Sequence, residues 1–261
     1  MGRYWRIYKA FFSSAFIRET QFRANFFAKI GENIIWSTFF VMILLVIYSN
    51  TDSVAGWSRG DAFILVATVF LMEAMHAALF MSLMEIPEQV RQGTLDFVLL
   101  KPVDSQFWVS TRRFNFSQGG TLIAGSTMVV IGIAQTGAHP DALQWIAYAV
   151  GLLSALGLFY SLNIAMMTLG IWLVRVDNLW VLGESVLQVA RFPLDIFQLS
   201  LRRMLTYAVP LGFLATVPAR QLTQGLDVTM AALGLTYALI AVTCARLFWR
   251  FALTKYQSAS S

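Results

Sequence analysis

Two sets of residues could do chemistry, and both sit inside apolar sequence. Glu73 and His76 stand at i and i+3 within the run Ala62–Met84, so they share one face of a helix. Glu184, Gln188 and Arg191 stand at i, i+4 and i+7 and also share a face. A charge in apolar surroundings is costly and turns toward the protein interior, a partner or water. Two roles fit these patterns. The groups relay protons or line a substrate path, or they pair to hold helices together, as Glu184 and Arg191 could across two turns.

A third stretch, residues 85–113, is polar in a different way. It begins Glu85-Ile86-Pro87-Glu88-Gln89-Val90-Arg91-Gln92-Gly93-Thr94-Leu95-Asp96 and ends on Arg112-Arg113. Four acidic and four basic residues leave it neutral. Pro87 can open a short helix, where its missing N–H costs nothing. Gly93 can close that helix in a left-handed conformation. Lys101-Pro102 blocks a further helix. A lipid-binding loop would be basic, whereas a neutral, partly apolar one suits docking to another protein.

Nucleotide hydrolysis is not expected of this chain. A P-loop needs a glycine-rich turn ending in Gly-Lys, and no Gly-Lys dipeptide occurs. Ser117-Gln118-Gly119-Gly120 resembles an ATPase signature loop, but it opens an apolar run where small residues serve helix packing. No metalloprotease helix or nucleophile elbow is present. Two histidines and Cys244 fall short of a structural zinc set, so no metal is expected.

The elements that must position these residues follow from composition. Of 261 residues, 57% are hydrophobic and 13% charged, and mean hydropathy is +0.64. A soluble domain carries about 25% charged residues. The deficit excludes a soluble enzyme, a nucleic-acid-binding domain and a disordered chain. About 20 apolar residues cross a bilayer, and six stretches qualify. They run from about residue 26 to 50, and over 62–84, 114–136, 143–174, 179–197 and 228–245. The fourth exceeds the hydrocarbon thickness and should tilt. Pro193 should kink the fifth at its outer end. Residues 198–225 hold an apolar piece broken by Pro210 and Pro218, which reads as a re-entrant or interfacial hairpin. Gly151 and Ala155, then Gly157, Ser161 and Ala165, give the fourth span small faces for close helix packing.

Lysine and arginine orient the bundle. With the N-terminus in the cytoplasm, 14 of 19 basic residues fall inside: Arg3, Arg6, Lys9, Arg18, Arg23, Lys29, Arg91, Lys101, Arg112, Arg113, Arg175, Arg246, Arg250 and Lys255. Both termini are therefore expected to be cytoplasmic. Trp57 and Trp145 fall where an outer aromatic belt would put them. Residues 1–29 carry six basic residues and one acid. Tyr4, Tyr8, Phe11 and Phe12 recur on one helical face, so residues 1–25 read as a helix in the inner membrane interface, touching lipid.

The stretch Arg91-Gln92-Gly93-Thr94-Leu95-Asp96-Phe97-Val98-Leu99-Leu100-Lys101-Pro102-Val103 resembles the cytoplasmic loop of ABC-2 type permeases, the membrane subunits of type V ABC exporters. Arg191-Phe192-Pro193-Leu194-Asp195-Ile196-Phe197, Leu201-Arg202-Arg203-Met204-Leu205-Thr206 and the span from Val209-Pro210 to Val217-Pro218-Ala219-Arg220 resemble that family's fifth span and outer hairpin. The order of elements matches along nearly the whole chain. The resemblance implies one all-α integral membrane domain over residues 1–261, with six transmembrane helices, an N-terminal interfacial helix and an outer re-entrant helical hairpin between spans 5 and 6. It implies a bacterial cytoplasmic (inner) membrane location. It also implies a second permease, identical or related, and separate cytoplasmic ABC ATPase subunits that carry the ATP and magnesium; this chain would bind no cofactor. Glu88, Gln89, Arg91, Gln92, Gly93, Thr94, Leu95 and Asp96 would then form the coupling helix, and the N-terminal helix would also touch the ATPase. The substrate reading leans toward an amphiphilic or hydrophobic molecule. A secondary transporter using Glu73 and His76 as a proton relay, or a non-transporting assembly protein, are the rival readings.

Overall fold

The structure is a computed structural model that describes residues 2–21, 23–173 and 179–256. Helix α1 spans Gly2–Gln21 and α2 spans Arg23–Ser49. A two-residue antiparallel pair comes next, β1 (Ser53–Val54) with β2 (Trp57–Ser58), Val54 opposite Trp57. Ala55 and Gly56 at its tip have φ of 51° and 82°, the left-handed pair a tight hairpin turn demands. Ser58 then caps α3 (Arg59–Phe80) in a reciprocal box with Asp61, which sets the helix start directly after the strand.

A 3-10 turn, Met81–Glu85, bends α3 into the short helices α4 (Ile86–Arg91), α5 (Leu95–Leu99) and α6 (Ser105–Thr111). Long helices α7 (Gly119–Thr136) and α8 (Ala142–Leu169) come after them, the second capped by Asp141. Helix α9 (Leu179–Ala190) leads through α10 (Leu199–Arg203), a π-turn at Met204–Ala208 and α11 (Thr216–Thr223) to α12 (Val228–Lys255).

Among the described residues, five helical segments are long and apolar enough to cross a membrane: 24–49, 59–91, 116–136, 142–169 and 228–255. Of the expected fifth span, α9 is the part described as helix. It stops at Ala190, and Pro193 begins a separate 3-10 turn over Leu194–Ile196, so the proline ends the helix instead of kinking it. Proline supplies no N–H to continue the ladder.

Helix α3 is apolar on every side and is accordingly central, with Ala62 to Met72 all buried. It meets α7 at two glycines. A Cβ on Gly60 would lie 2.7 Å from the Gly132 carbonyl oxygen, and one on Gly132 would lie 2.6 Å from Ile64, so the two backbones touch. Along α8, Gly151 receives Pro218 of α11 and Gly157 receives Ala238 of α12. The small faces expected of the fourth span therefore pack within the chain. Helix α2 is the least covered span. Phe27, Ile35, Trp36, Met42 and Val46 are all more than half exposed.

Candidate functional site

The loop end of the bundle is built on an apolar wedge. Leu83, Ile86, Leu95, Val98 and Val109 pack with Ile164 and Met167 of α8 and Ala245 and Trp249 of α12. Gly93 takes φ 69° between α4 and α5, the left-handed turn expected at its position. Of the eight residues expected to dock, Leu95 and Gln89 face inward. Leu95 is part of the wedge, and Gln89 is 7% exposed with neither side-chain amide atom hydrogen-bonded among the described residues. Arg91 and Gln92 are exposed, and both bond Glu88. Gly93, Thr94 and Asp96 are half-buried. Beside these exposed polar residues stand two large apolar ones, Phe97 at 67% and Leu100 at 81% exposed.

Polar clasps fix the loop's two ends. Glu85 pairs with Arg112 and, at 2.5 Å, with Arg113. Arg246 of α12 grips Asp104 through both nitrogens of its fork and donates to Gln106 Oε1 at 3.0 Å. Trp249 Nε1 donates to Ser105 Oγ at 3.1 Å, and Gln106 Nε2 donates to the Tyr160 hydroxyl at 3.0 Å. Partial burial pushes the Asp104 carboxyl up, but Arg246 and the Phe107 amide outweigh it and hold it below its ordinary value. No motif in the sequence singles out these clasps. The neutral charge count of the loop, with its acid at one end and Arg112-Arg113 at the other, is the available signal for the first.

Helix α1 lies against this loop. Tyr4, Tyr8, Phe11 and Phe12, the expected aromatic face, meet Phe107, Phe114, Trp108 and Phe116 edge to face, with centroids 4.9–5.5 Å apart. Phe16 adds a further contact to Phe116. Arg3 Nη2 donates to the Pro102 carbonyl at 2.5 Å, and the Asp104 amide donates to the Tyr4 hydroxyl at 3.3 Å. The loop and the residues just after it cover this face only in part, since Tyr4 remains 43% and Phe12 46% exposed.

The buried charges form a different pair from the one the spacing suggested. Arg191 Nη2 donates to Glu73 Oε1 at 2.7 Å. The guanidinium, 8% exposed, also lies 4.4 Å from the Phe40 ring centroid. Helix α9 ends just before Arg191, so its side chain projects toward α3. The Glu184 side chain lies outside the described residues, and Gln188 is exposed. His76 is 4% exposed, its ring 4.6 Å from that of Phe159, and its Nε2 has no hydrogen bond among the described residues.

At the opposite end Asp195 gathers three partners. Trp57 Nε1 donates to it at 2.9 Å, Arg202 pairs with it at 2.7 Å, and Arg220 pairs with it as well. Trp57 is therefore 1% exposed and no belt residue. An indole N–H that finds a carboxylate inside the fold has no need of the interface.

Helices of membrane length, joined at one end by a clasped loop and at the other by a charged segment of short helices and turns, define a multi-pass membrane protein. A family model described as ABC-2 family transporter protein matches residues 34–260. The chain belongs to that family and is an ABC transporter permease. Comparison with curated proteins and with solved structures gave no match.

Proposed function

We propose that the chain is the permease subunit of an ATP-driven exporter, working with a second permease and with separate cytoplasmic ATPase subunits that hold ATP and magnesium. Loop 85–113 docks into the ATPase, and both termini lie in the cytoplasm. The observation that carries this reading is the loop's architecture. Its inner face is wedged against α8 and α12 and clasped at both ends, while Phe97 and Leu100 are held out in the open. A loop fixed on one side and apolar on the other transmits a partner's movement to the helices beneath it. Exposed large apolar side chains on a rigid base are what a docking site presents.

We further read α9 as the core of a sixth span and the segment after it as a re-entrant hairpin. In support, Leu211 and Leu214 pack with Leu158 of α8, which lies 16 residues beyond Ala142 at the start of that helix, or about 24 Å along it. The bare face of α2 suits lipid or the second permease. An apolar groove of about 370 Å³, lined by Leu158, Phe159, Leu162, Pro210, Ala241 and Phe248 among others, suits a hydrophobic or amphiphilic substrate. The Glu73–Arg191 ion pair, at 2.7 Å, suits a structural tie between α9 and α3 more than a relay carboxylate open to water.

The test is affinity purification of the full chain from its native membrane, followed by assay of magnesium-dependent ATP hydrolysis. Wild-type chain should bring an ATPase with it. Phe97→Asp with Leu100→Asp should insert normally and lose it. ATPase recovery unchanged by the double substitution would remove the loop from the coupling mechanism.

A further inference from the structure

At the hairpin end, residues from α10, the π-turn, α11 and the start of α12 enclose a polar cavity of about 700 Å³. Its charged walls are Asp195, Arg202, Arg203, Arg220 and Asp227. The two carboxylates are already committed. Asp195 is taken up by Trp57, Arg202 and Arg220. Asp227 caps α12, accepting from the Met230 amide at 2.9 Å, where the positive end of the helix offsets its charge. The cations are not used up in the same way. Arg203 is exposed and has neither an ion pair nor a side-chain hydrogen bond, and Arg220 Nε is buried without a hydrogen bond, both among the described residues. Three guanidiniums against two committed carboxylates leave the cavity positive, with Arg203 free to meet an incoming anion and Arg220 Nε still to be satisfied. Thr206 and Gln224 add neutral polar groups to the same walls.

We propose that this cavity binds a phosphate group. Guanidinium forks match the oxygens of an oxyanion, and several around one space suit a tetrahedral ion better than a single carboxylate. The volume is far larger than a phosphate ion, so the group belongs to a larger molecule: an anionic phospholipid or a soluble phosphate ester. Only the side of the membrane on which the cavity opens rests on the orientation proposed above. Binding itself needs no ATPase, so failure here leaves the docking test standing.

The experiment uses the full chain purified in detergent. Inorganic phosphate is titrated against matched sodium chloride while thermal stability is followed. Separately, native mass spectrometry records retention of dioleoylphosphatidylglycerol against dioleoylphosphatidylcholine. Wild type should show saturable stabilisation by phosphate, preferential retention of the anionic lipid, or both. Phosphate alone identifies a soluble ester, and the anionic lipid alone identifies a headgroup. Arg203→Gln, which breaks no contact, should leave unliganded stability unchanged and weaken binding about tenfold or more, as loss of a charge-assisted contact does. Arg59→Gln, at the same end but outside the cavity, should bind as wild type. Arg220→Gln also frees Asp195 and can unfold the hairpin, so the decision rests on Arg203. The proposal falls if wild type binds neither probe, if Arg203→Gln binds like wild type, or if Arg59→Gln loses as much.

Discussion

Arg191 and Glu73 lie 118 positions apart in the chain and meet at 2.7 Å inside the bundle, beyond the midpoint of α3. The pair ties the end of α9 to the central helix. Removing one partner of such a pair leaves the other charge uncompensated and costs about 3–5 kcal/mol, whereas removing both is far milder. Glu73→Ala and Arg191→Ala should therefore each lower the thermal midpoint, and the double variant should recover part of the loss. A double-mutant cycle measures the coupling. Additive losses would reject it.

Gly93 holds the turn between α4 and α5 at φ 69°. A non-glycine residue there costs about 1 kcal/mol or more, and proline cannot adopt the angle. Gly93→Pro, and charge reversal by Asp96→Lys, should leave membrane insertion intact. Both should depress stimulated ATP hydrolysis and transport in the reconstituted complex. Wild-type transport in both would show that the turn has no part in coupling.

The Asp104–Arg246 clasp should make loop attachment acid-sensitive. Asp104 titrates below its ordinary 3.8 when folded, so its contribution is fully present above that value. It is lost as pH falls from there through the folded value. Thermal midpoints measured from pH 6 down to pH 3 should fall more steeply for wild type than for Asp104→Asn. Parallel curves would place the acid sensitivity elsewhere.

The glycine contact between α3 and α7 leaves no room for a methyl group. Gly60→Ala and Gly132→Ala should each destabilise by about 1–3 kcal/mol through forced helix separation. Gly31→Ala on α2, where nothing lies within 4 Å, should be neutral or better. Comparable midpoints for all three would mean the α3–α7 contact is slack.

Deleting residues 2–20 should uncover the aromatic groove of the loop without preventing insertion of the membrane-length helices. Each edge-to-face ring pair contributes about 0.5–1.5 kcal/mol beyond its buried area. In a Cys244→Ser background, a cysteine placed at Phe116 should react with a water-soluble thiol reagent much faster after the deletion. Equal rates would show that α1 does not cover the loop.

The membrane-length helices were legible because each holds a long stretch nearly free of charge: Lys29 and Glu32 lie near the start of α2, Glu73 and His76 interrupt α3, and Arg246, Arg250 and Lys255 lie toward the end of α12. The loop was legible too, since Pro87, Gly93 and Lys101-Pro102 punctuate it by backbone constraints that act locally. The surface proposed to dock was legible only in part. The left-handed turn at Gly93 sets the facing of α5, so Leu95 points into the wedge and Phe97 out. Periodicity placed Tyr4, Tyr8, Phe11 and Phe12 on one face correctly, but a face does not announce its cover. Arg191 illustrates the limit most clearly. Helical spacing finds partners within two turns of one helix, whereas a guanidinium at a helix end reaches whichever carboxylate the fold brings near.

Helix α3 is held at its head, where Trp57 hangs from Asp195, and along its length, where Glu73 holds Arg191. Its foot runs through the 3-10 turn Met81–Glu85 into α4. Its 22 residues make a rod of about 33 Å. A rod gripped this way is a lever: under the proposed coupling, a push on the loop would travel along the shaft to the segment after α9, or the Trp57–Asp195 bond would give way.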